Sequence, residues 1–217
     1  MSSCLRIIIP ALILFFPGTL WAQIPGGETP AALNLPPLSG PQRKTLLLIA
    51  REAVEAALET RSSREATVDG RLRAPQPLVV SIYVDGELRA RSWRLKPYQP
   101  LYLDARDVTY EAINRPRDKD SPLTPAELVR AEISLAVLSG YSRAQDDREV
   151  PPRSAVIVLS GFTEALGLPG DVESDSAADL LSHACERAGL RPRVWLLPQA
   201  ATIFYAQADG SREERAK

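Results

Sequence analysis

The chain has 217 residues, with 26 Lys and Arg against 27 Asp and Glu, and 45% of it is hydrophobic. That length and apolar share describe one domain with a real core, and the near-neutral balance lacks the basic footprint of a nucleic-acid binder. A single histidine, His183, excludes a multi-histidine metal site.

The N-terminus reads as a leader. Met1 to Arg6 is short with one positive charge, Ile7 to Phe16 has no polar side chain, and Pro17-Gly18 breaks the run before Leu20-Trp21-Ala22. This order of charged, apolar and small residues is a secretory signal peptide over residues 1–22. A retained membrane anchor is the rival reading of the uncharged stretch from Ile7 to Gly27. Pro10, Pro17 and Gly18 interrupt it, whereas a spanning helix needs about 20 apolar residues. The expectation is an exported protein, periplasmic or secreted, with no stable membrane span after cleavage. Cleavage removes Cys4 and leaves Cys185 alone, so no intrachain disulfide forms, and two more acids than bases remain.

Residues 23–41 hold Pro25, Pro30, Pro36, Pro37 and Pro41 with Gly26, Gly27 and Gly40, the composition of an extended tether. Ser39 and Gln42 have capping-box spacing, and a helix follows to about Glu59, its apolar face carrying Leu46, Leu47, Ala50, Val54, Ala57 and Leu58. Thr60 to Pro77 reads as a polar surface loop. Leu78–Val84 and Glu87–Leu95 are β-prone runs around Asp85-Gly86, a strong hairpin signal because type I′ turns need positive φ at both positions. Leu101, Ala105, Val108 and Ala112 form a second helical stripe, followed by a charged loop from Arg115 to Ser121.

Thr124-Pro125-Ala126-Glu127 is another capping box, with Pro at the first helical position, opening a short helix. Glu132 to Leu138 reads as a strand and Ser139 to Arg153 as a polar loop. Ala155–Leu159 and Phe162–Leu166 flank Ser160-Gly161, a second hairpin. A helix over Ser176 to Ala188 carries the cleanest stripe, Ala177, Leu180, Leu181, Ala184, Cys185 and Ala188, with Gly189 just beyond its end and Leu190 as hydrophobic partner. Thr202 to Gln207 is the last strand, and Ser211 to Lys217 a charged, frayed tail. Helices and hairpins mix without regular alternation, so the fold class is α+β.

Four of these segments carry a family resemblance: "LLLIAREAVE" from Leu46, "VVSIYVDGELR" from Val79, "PLTPAELVRAEISLAVL" from Pro122, and "ACERAGL" from Ala184 with Trp195 after it. In order and spacing they resemble the AMMECR family, also called AmmeMemoRadiSam system protein A. Its patterns are LLxIARxxI, VTLxxxGxLRGCIG, PLTxxELxxxxIEVSVL and CxKAGL before a Trp. The resemblance covers nearly the whole mature domain, residues 42–210. It implies a two-lobed α+β domain with an antiparallel sheet flanked by helices, and a cleft bordered by the LRGCIG hairpin. It brings no settled activity. The family's association with radical-SAM proteins does not transfer to an exported chain.

The hairpin departs from the family. Where the pattern has Leu-Arg-Gly-Cys-Ile-Gly, this chain has Leu88-Arg89-Ala90-Arg91-Ser92-Trp93. Both glycines and the cysteine are replaced, so Ala90 and Trp93 are expected to close a space that the family keeps open.

Arg89, Arg91 and Trp93 alternate along one strand and are expected to share a face. Guanidinium forks suit carboxylates or phosphates and Trp a stacking surface, which makes these three the candidate ligand-binding residues, for an anionic small molecule or a protein partner. The plainer reading is a solvated edge face with Trp93 under a loop. His183 and Cys185 lie about 200° apart on a helix, so Cys185 is expected in the core and His183 toward water. The acid-rich run Asp171, Glu173, Asp175 and Asp179 lacks calcium-loop spacing and suits the positive end of the following helix. No nucleophile elbow, phosphate loop or zinc-protease helix is present. The chain therefore reads as a noncatalytic binding or accessory module without metal or cofactor. The alternative is an envelope enzyme using carboxylates from separate loops, Asp104, Asp107 and Asp118.

Overall fold

In the computed structural model, residues 35–58, 68–114 and 122–213 are described. The leader, the first part of the tether, the 115–121 loop and the last residues of the tail lie outside them. Among the described residues, four α-helices and six strands follow in chain order: α1 (Gly40–Ala57), β1 (Leu78–Val84), β2 (Glu87–Arg94), α2 (Leu101–Asn114), α3 (Pro125–Arg130), β3 (Ala131–Ala144), β4 (Ala155–Ser160), β5 (Thr163–Gly167), α4 (Ala177–Arg187) and β6 (Thr202–Arg212). The strands form one antiparallel sheet in the order β2-β1-β3-β6-β4-β5. The α+β class is thus the observed one.

Local chemistry sets the element ends. Ser39 caps α1, its hydroxyl accepting from the Gln42 amide while the Gln42 side chain accepts from the Ser39 amide. Thr124 and Glu127 do the same for α3, with Pro125 at its first position. The β1–β2 turn holds Asp85 at φ 54° and Gly86 at φ 91°. α4 ends in a Schellman arrangement: the Gly189 amide donates to the Glu186 carbonyl and the Leu190 amide to the Cys185 carbonyl.

The sheet curls, with helices on its outer face. Leu78, Val80, Ile82 and Val84 of β1 face α1 and α2 in one core; Val156 and Val158 of β4 face α4 in a second. Alternate residues point inward: Val79, Ala136, Leu138, Ala155, Ile157, Leu166 and Ala206 form a third core inside the curl, and Trp93 of β2 joins them. Trp93 sits on one edge strand and Leu166 on the other, so the two sheet edges approach each other. β3 serves both outer cores because it contains a bulge between Ser139 and Ser142. The extra residue switches the outward set from Ile133, Leu135 and Val137 in the first core to Ala144 in the second.

Three expectations are corrected by long-range pairing. β3 runs through Ser139 to Ala144, a stretch read as loop, because β6 continues opposite it. β6 extends to Arg212, so Ser211 and Arg212 belong to the sheet and not to a frayed tail; the Glu213 carboxylate beyond them accepts from the Ile133 amide and pairs with Arg51. The segment read as a surface loop before Pro77 contains a 3-10 turn, Gly70–Arg73, whose Leu72 is fully buried. The end of the tether is also packed: Leu38 lies in the first core and its amide donates to Asp209. Among the described residues, no helix is long and apolar enough to cross a membrane.

Candidate functional site

The hairpin places its three candidate residues differently from strict alternation. Ile82 pairs with Ala90 and Tyr83 with Leu88, so Arg89 is the extra residue of a β-bulge. Arg91 and Trp93 share the inner face, whereas Arg89 reaches α3, donating to Glu127 at 2.6 Å. That carboxyl is held down to about 2, first by the backbone and hydroxyl of Thr124 and then by Arg89.

Arg91 is fully buried. Its Nε donates to Ser81 Oγ at 2.8 Å, and Nη1 and Nη2 form a bidentate pair with Asp171 at 2.6 Å each. Asp171 lies just past β5 and also accepts from the Leu168 amide. Trp93 is 1% exposed and donates from Nε1 to Glu164 of β5 at 3.1 Å. Both residues thus connect the first sheet edge to the last. The large side chains of Arg91 and Trp93 occupy the positions where the resemblance places a cysteine and a glycine and lie inside the curl, whereas Ala90 faces the first outer core. The expected sharing of one face fails for Arg89, because the bulge interrupts the period of two.

The opposite face of β2 meets α2. Arg94 donates to Tyr98 Oη and to Glu111, each at 2.5 Å, and its Nε lies 3.3 Å from Asp104. Burial works against the Arg94 charge, but Glu111 and Asp104 override it and hold the guanidinium above its ordinary value. Gln99 donates to both Asp104 and Asp107 at 2.9 Å. Asp104 and Asp107 therefore do not come from separate loops, as the enzyme alternative supposed; both stand on α2, three residues apart. Asp118 lies outside the described residues. Asp104 is fully buried, and burial raises its carboxyl against the opposing Gln99 and Arg94. Beside this cluster a groove of about 380 Å³ is lined by Ala53 and Ala56 of α1 and by Tyr98, Arg106, Tyr110 and Glu111. Tyr98 is 76% and Tyr110 57% exposed.

Residues 47–208 match the AMMECR1 family model. The chain belongs to the AMMECR1 family. No curated protein matches it. Among solved structures, the AMMECR1 chain is similar to the uncharacterised protein PH0010 from Pyrococcus horikoshii, with 20% identity, a TM-score of 0.68, and coverage of 82% of this chain and 94% of that one. That likeness concerns the fold.

Cys185 is fully buried in the second outer core, and burial pushes its thiol up to about 11. His183 is half-buried, less exposed than the helix angle suggested. In the acidic run, Asp171 spends both oxygens on Arg91, and Asp179 accepts from Ser174 Oγ at 2.6 Å beside the N-terminus of α4. Sequence reasoning missed Arg94, Tyr98, Gln99 and Glu111. The available signal was the outward parity of Arg94 on β2 opposite a helix with Asp104 and Glu111 seven residues apart.

Proposed function

We propose that this AMMECR1 chain is an exported, noncatalytic binding module that docks a partner protein at the groove between α1 and α2, beside the base of the β1–β2 hairpin. The observation that carries the docking reading is the pair of exposed tyrosines, Tyr98 and Tyr110, flanking a groove whose polar floor is already ordered by Arg94, Glu111 and Asp104. Aromatic side chains beside fixed charges are the composition of protein-binding hot spots. Export rests on the leader pattern of residues 1–22.

Two measurements test the two halves separately. The intact mass of the chain from an envelope fraction is expected to start at Gln23, and a full-length mass with a purely cytoplasmic distribution would end the export reading. A photoreactive phenylalanine at Tyr110 is expected to crosslink one discrete protein in cells, while the same group at the exposed Phe162 does not. Absence of an adduct at Tyr110 ends the docking reading.

The enzyme alternative keeps one supporting observation. Asp104 Oδ2 is buried without a hydrogen-bond partner, and burial raises the carboxyl, the condition of a group poised to hold a proton. A carbon-13 titration in which the Asp104 carboxyl follows the ordinary aspartate curve would remove it.

A further inference from the structure

A second concavity lies on the other side of the hairpin base. About 360 Å³ in volume, it is bounded by the Leu35–Leu38 end of the tether, the first turn of α1, the 3-10 turn at Arg71, and the β3–β6 pair around Ser139 and Gln207. That volume falls in the range of small-molecule sites. Its lining shares no residue with the Tyr98–Tyr110 groove.

The described residues contain six buried side-chain nitrogen or oxygen atoms without a hydrogen-bond partner. Four of them belong to three residues lining this cavity: Arg43 Nε, Arg71 Nε, Arg71 Nη1 and Gln76 Oε1. Buried polar groups in folded proteins are nearly always paired, and leaving one unpaired is costly. Four in one cavity therefore mark a place built for an occupant with complementary groups. Gln76 is only 3% exposed, so bulk solvent does not satisfy it.

The charges define that occupant. Asp209 matches Arg43, with Oδ1 3.0 Å from Arg43 Nη2, while its Oδ2 accepts from the Leu38 amide at 2.8 Å. Arg71 has no such carboxylate: its Nη2 donates to the neutral Pro36 carbonyl at 2.9 Å. Asp69, the nearest acid in sequence, uses Oδ1 on the Arg71 backbone amide and Oδ2 on Gln42. Burial accordingly lowers the Arg71 guanidinium, with only partial relief from Asp209 and Asp69. The cavity lining thus carries two guanidiniums against one carboxylate, an excess that favours one negative charge in the occupant. Gln76 Oε1 adds a call for a donor.

We propose that this cavity binds a small monocarboxylate bearing a hydroxyl group, with the carboxylate on Arg71 and Arg43 Nε and the hydroxyl donor on Gln76 Oε1. A monoanion matches the charge that Arg71 leaves open, whereas a dianionic phosphate overfills it. The packed end of the tether supplies one wall, so the ligand also bears on how Leu35–Leu38 is held.

Isothermal titration of the purified chain with lactate, propanoate and inorganic phosphate tests the assignment. Lactate is expected to bind saturably and at least tenfold more tightly than propanoate, since losing the donor leaves Gln76 unpaired. Phosphate is expected to be weaker than lactate. Arg71→Gln is expected to weaken lactate at least tenfold. Gln76→Leu is expected to erase the preference over propanoate while propanoate still binds, a selective effect that misfolding does not produce. Circular dichroism of Arg71→Lys, which retains the charge, checks the fold. No saturable binding of lactate, tighter binding of phosphate, or unchanged binding in Arg71→Gln overturns the proposal and leaves the cavity to water.

Discussion

The Arg91–Asp171 pair makes the sharpest prediction about what closes the sheet. Its side chains are 0% and 4% exposed, and the two residues stand 80 positions apart, on β2 and just past β5. Removing one partner from a buried pair leaves the other charge without compensation and costs about 3–5 kcal/mol. Asp171→Ala also deprives the Leu168 amide of its acceptor, at about 1 kcal/mol. For a domain of this size each kcal/mol moves the melting temperature by about 2–4 °C, so Arg91→Met is expected to melt roughly 6–20 °C lower and Asp171→Ala roughly 8–24 °C lower. The double variant leaves no stranded charge and is expected to recover part of the loss, with a coupling energy of about 2–3 kcal/mol in a double-mutant cycle. Urea unfolding followed by circular dichroism gives these energies. Hydrogen exchange adds location: amides of β5, which pairs only with β4, are expected to exchange faster in Asp171→Ala, while those of α1 stay protected. Single losses below about 1 kcal/mol, or additive singles, would refute the argument that this pair closes the curl.

Two further expectations follow from local chemistry. The Glu127 carboxyl sits at about 2 in the folded chain against an ordinary value of 4.5. Its contribution to stability is therefore fully present above about pH 4.5 and lost as pH falls toward 2. Glu127→Gln is expected to unfold with a shallower pH dependence across that window, and parallel curves for variant and parent would contradict the assignment. Cys185 is buried with its thiol pushed up to about 11, so labelling by a thiol reagent in native buffer is expected to be slow and to accelerate on unfolding, and Cys185→Ala to cost on the order of 1 kcal/mol. Fast native labelling would reopen a reactive role for the thiol.

What the sequence made legible was whatever neighbours in the chain decide. Ser39 with Gln42, Thr124 with Glu127, Asp85-Gly86, and Gly189 with Leu190 are contacts between residues one to five positions apart, and each forms as its spacing implies. The extent of β3 and β6 was not legible in the same way. Gly140 and Asp209-Gly210 look like breaks when read locally; they stay in the sheet because each strand finds the other across roughly 60 to 80 residues of chain. The same limit applied to the site. Alternation predicted a shared face for Arg89, Arg91 and Trp93, but it assumes an unbroken period of two, and the bulge at Arg89 has no local marker. Asp171 read as one acid among several before a helix. Only the curl of the sheet makes it the partner of Arg91.

The closing of that curl bears on where this AMMECR1 chain presents its chemistry. At the two positions where the family resemblance places a thiol and a glycine, this chain carries a guanidinium and an indole, and both are used inside the molecule, on Asp171 and Glu164. A hairpin fixed in this way offers little of its inner face to a ligand. Its base is a different matter. Leu78 pairs with Arg94, and Gln76 lies two residues before Leu78. From that one rung, Arg94 opens toward the tyrosine-flanked groove and Gln76 toward the cavity with unpaired guanidinium nitrogens. The Arg91–Asp171 latch holds the rung in place, and on the groove side Arg94 is bonded to Glu111 and Asp104 before any ligand arrives. That arrangement lowers the entropic cost of binding at the base. It also gives the latch variants a second readout: if Asp171→Ala loosens the hairpin base, affinity at the Arg71–Gln76 cavity falls together with stability, whereas an affinity that survives the stability loss would show that the base is held by β1–β3 pairing alone.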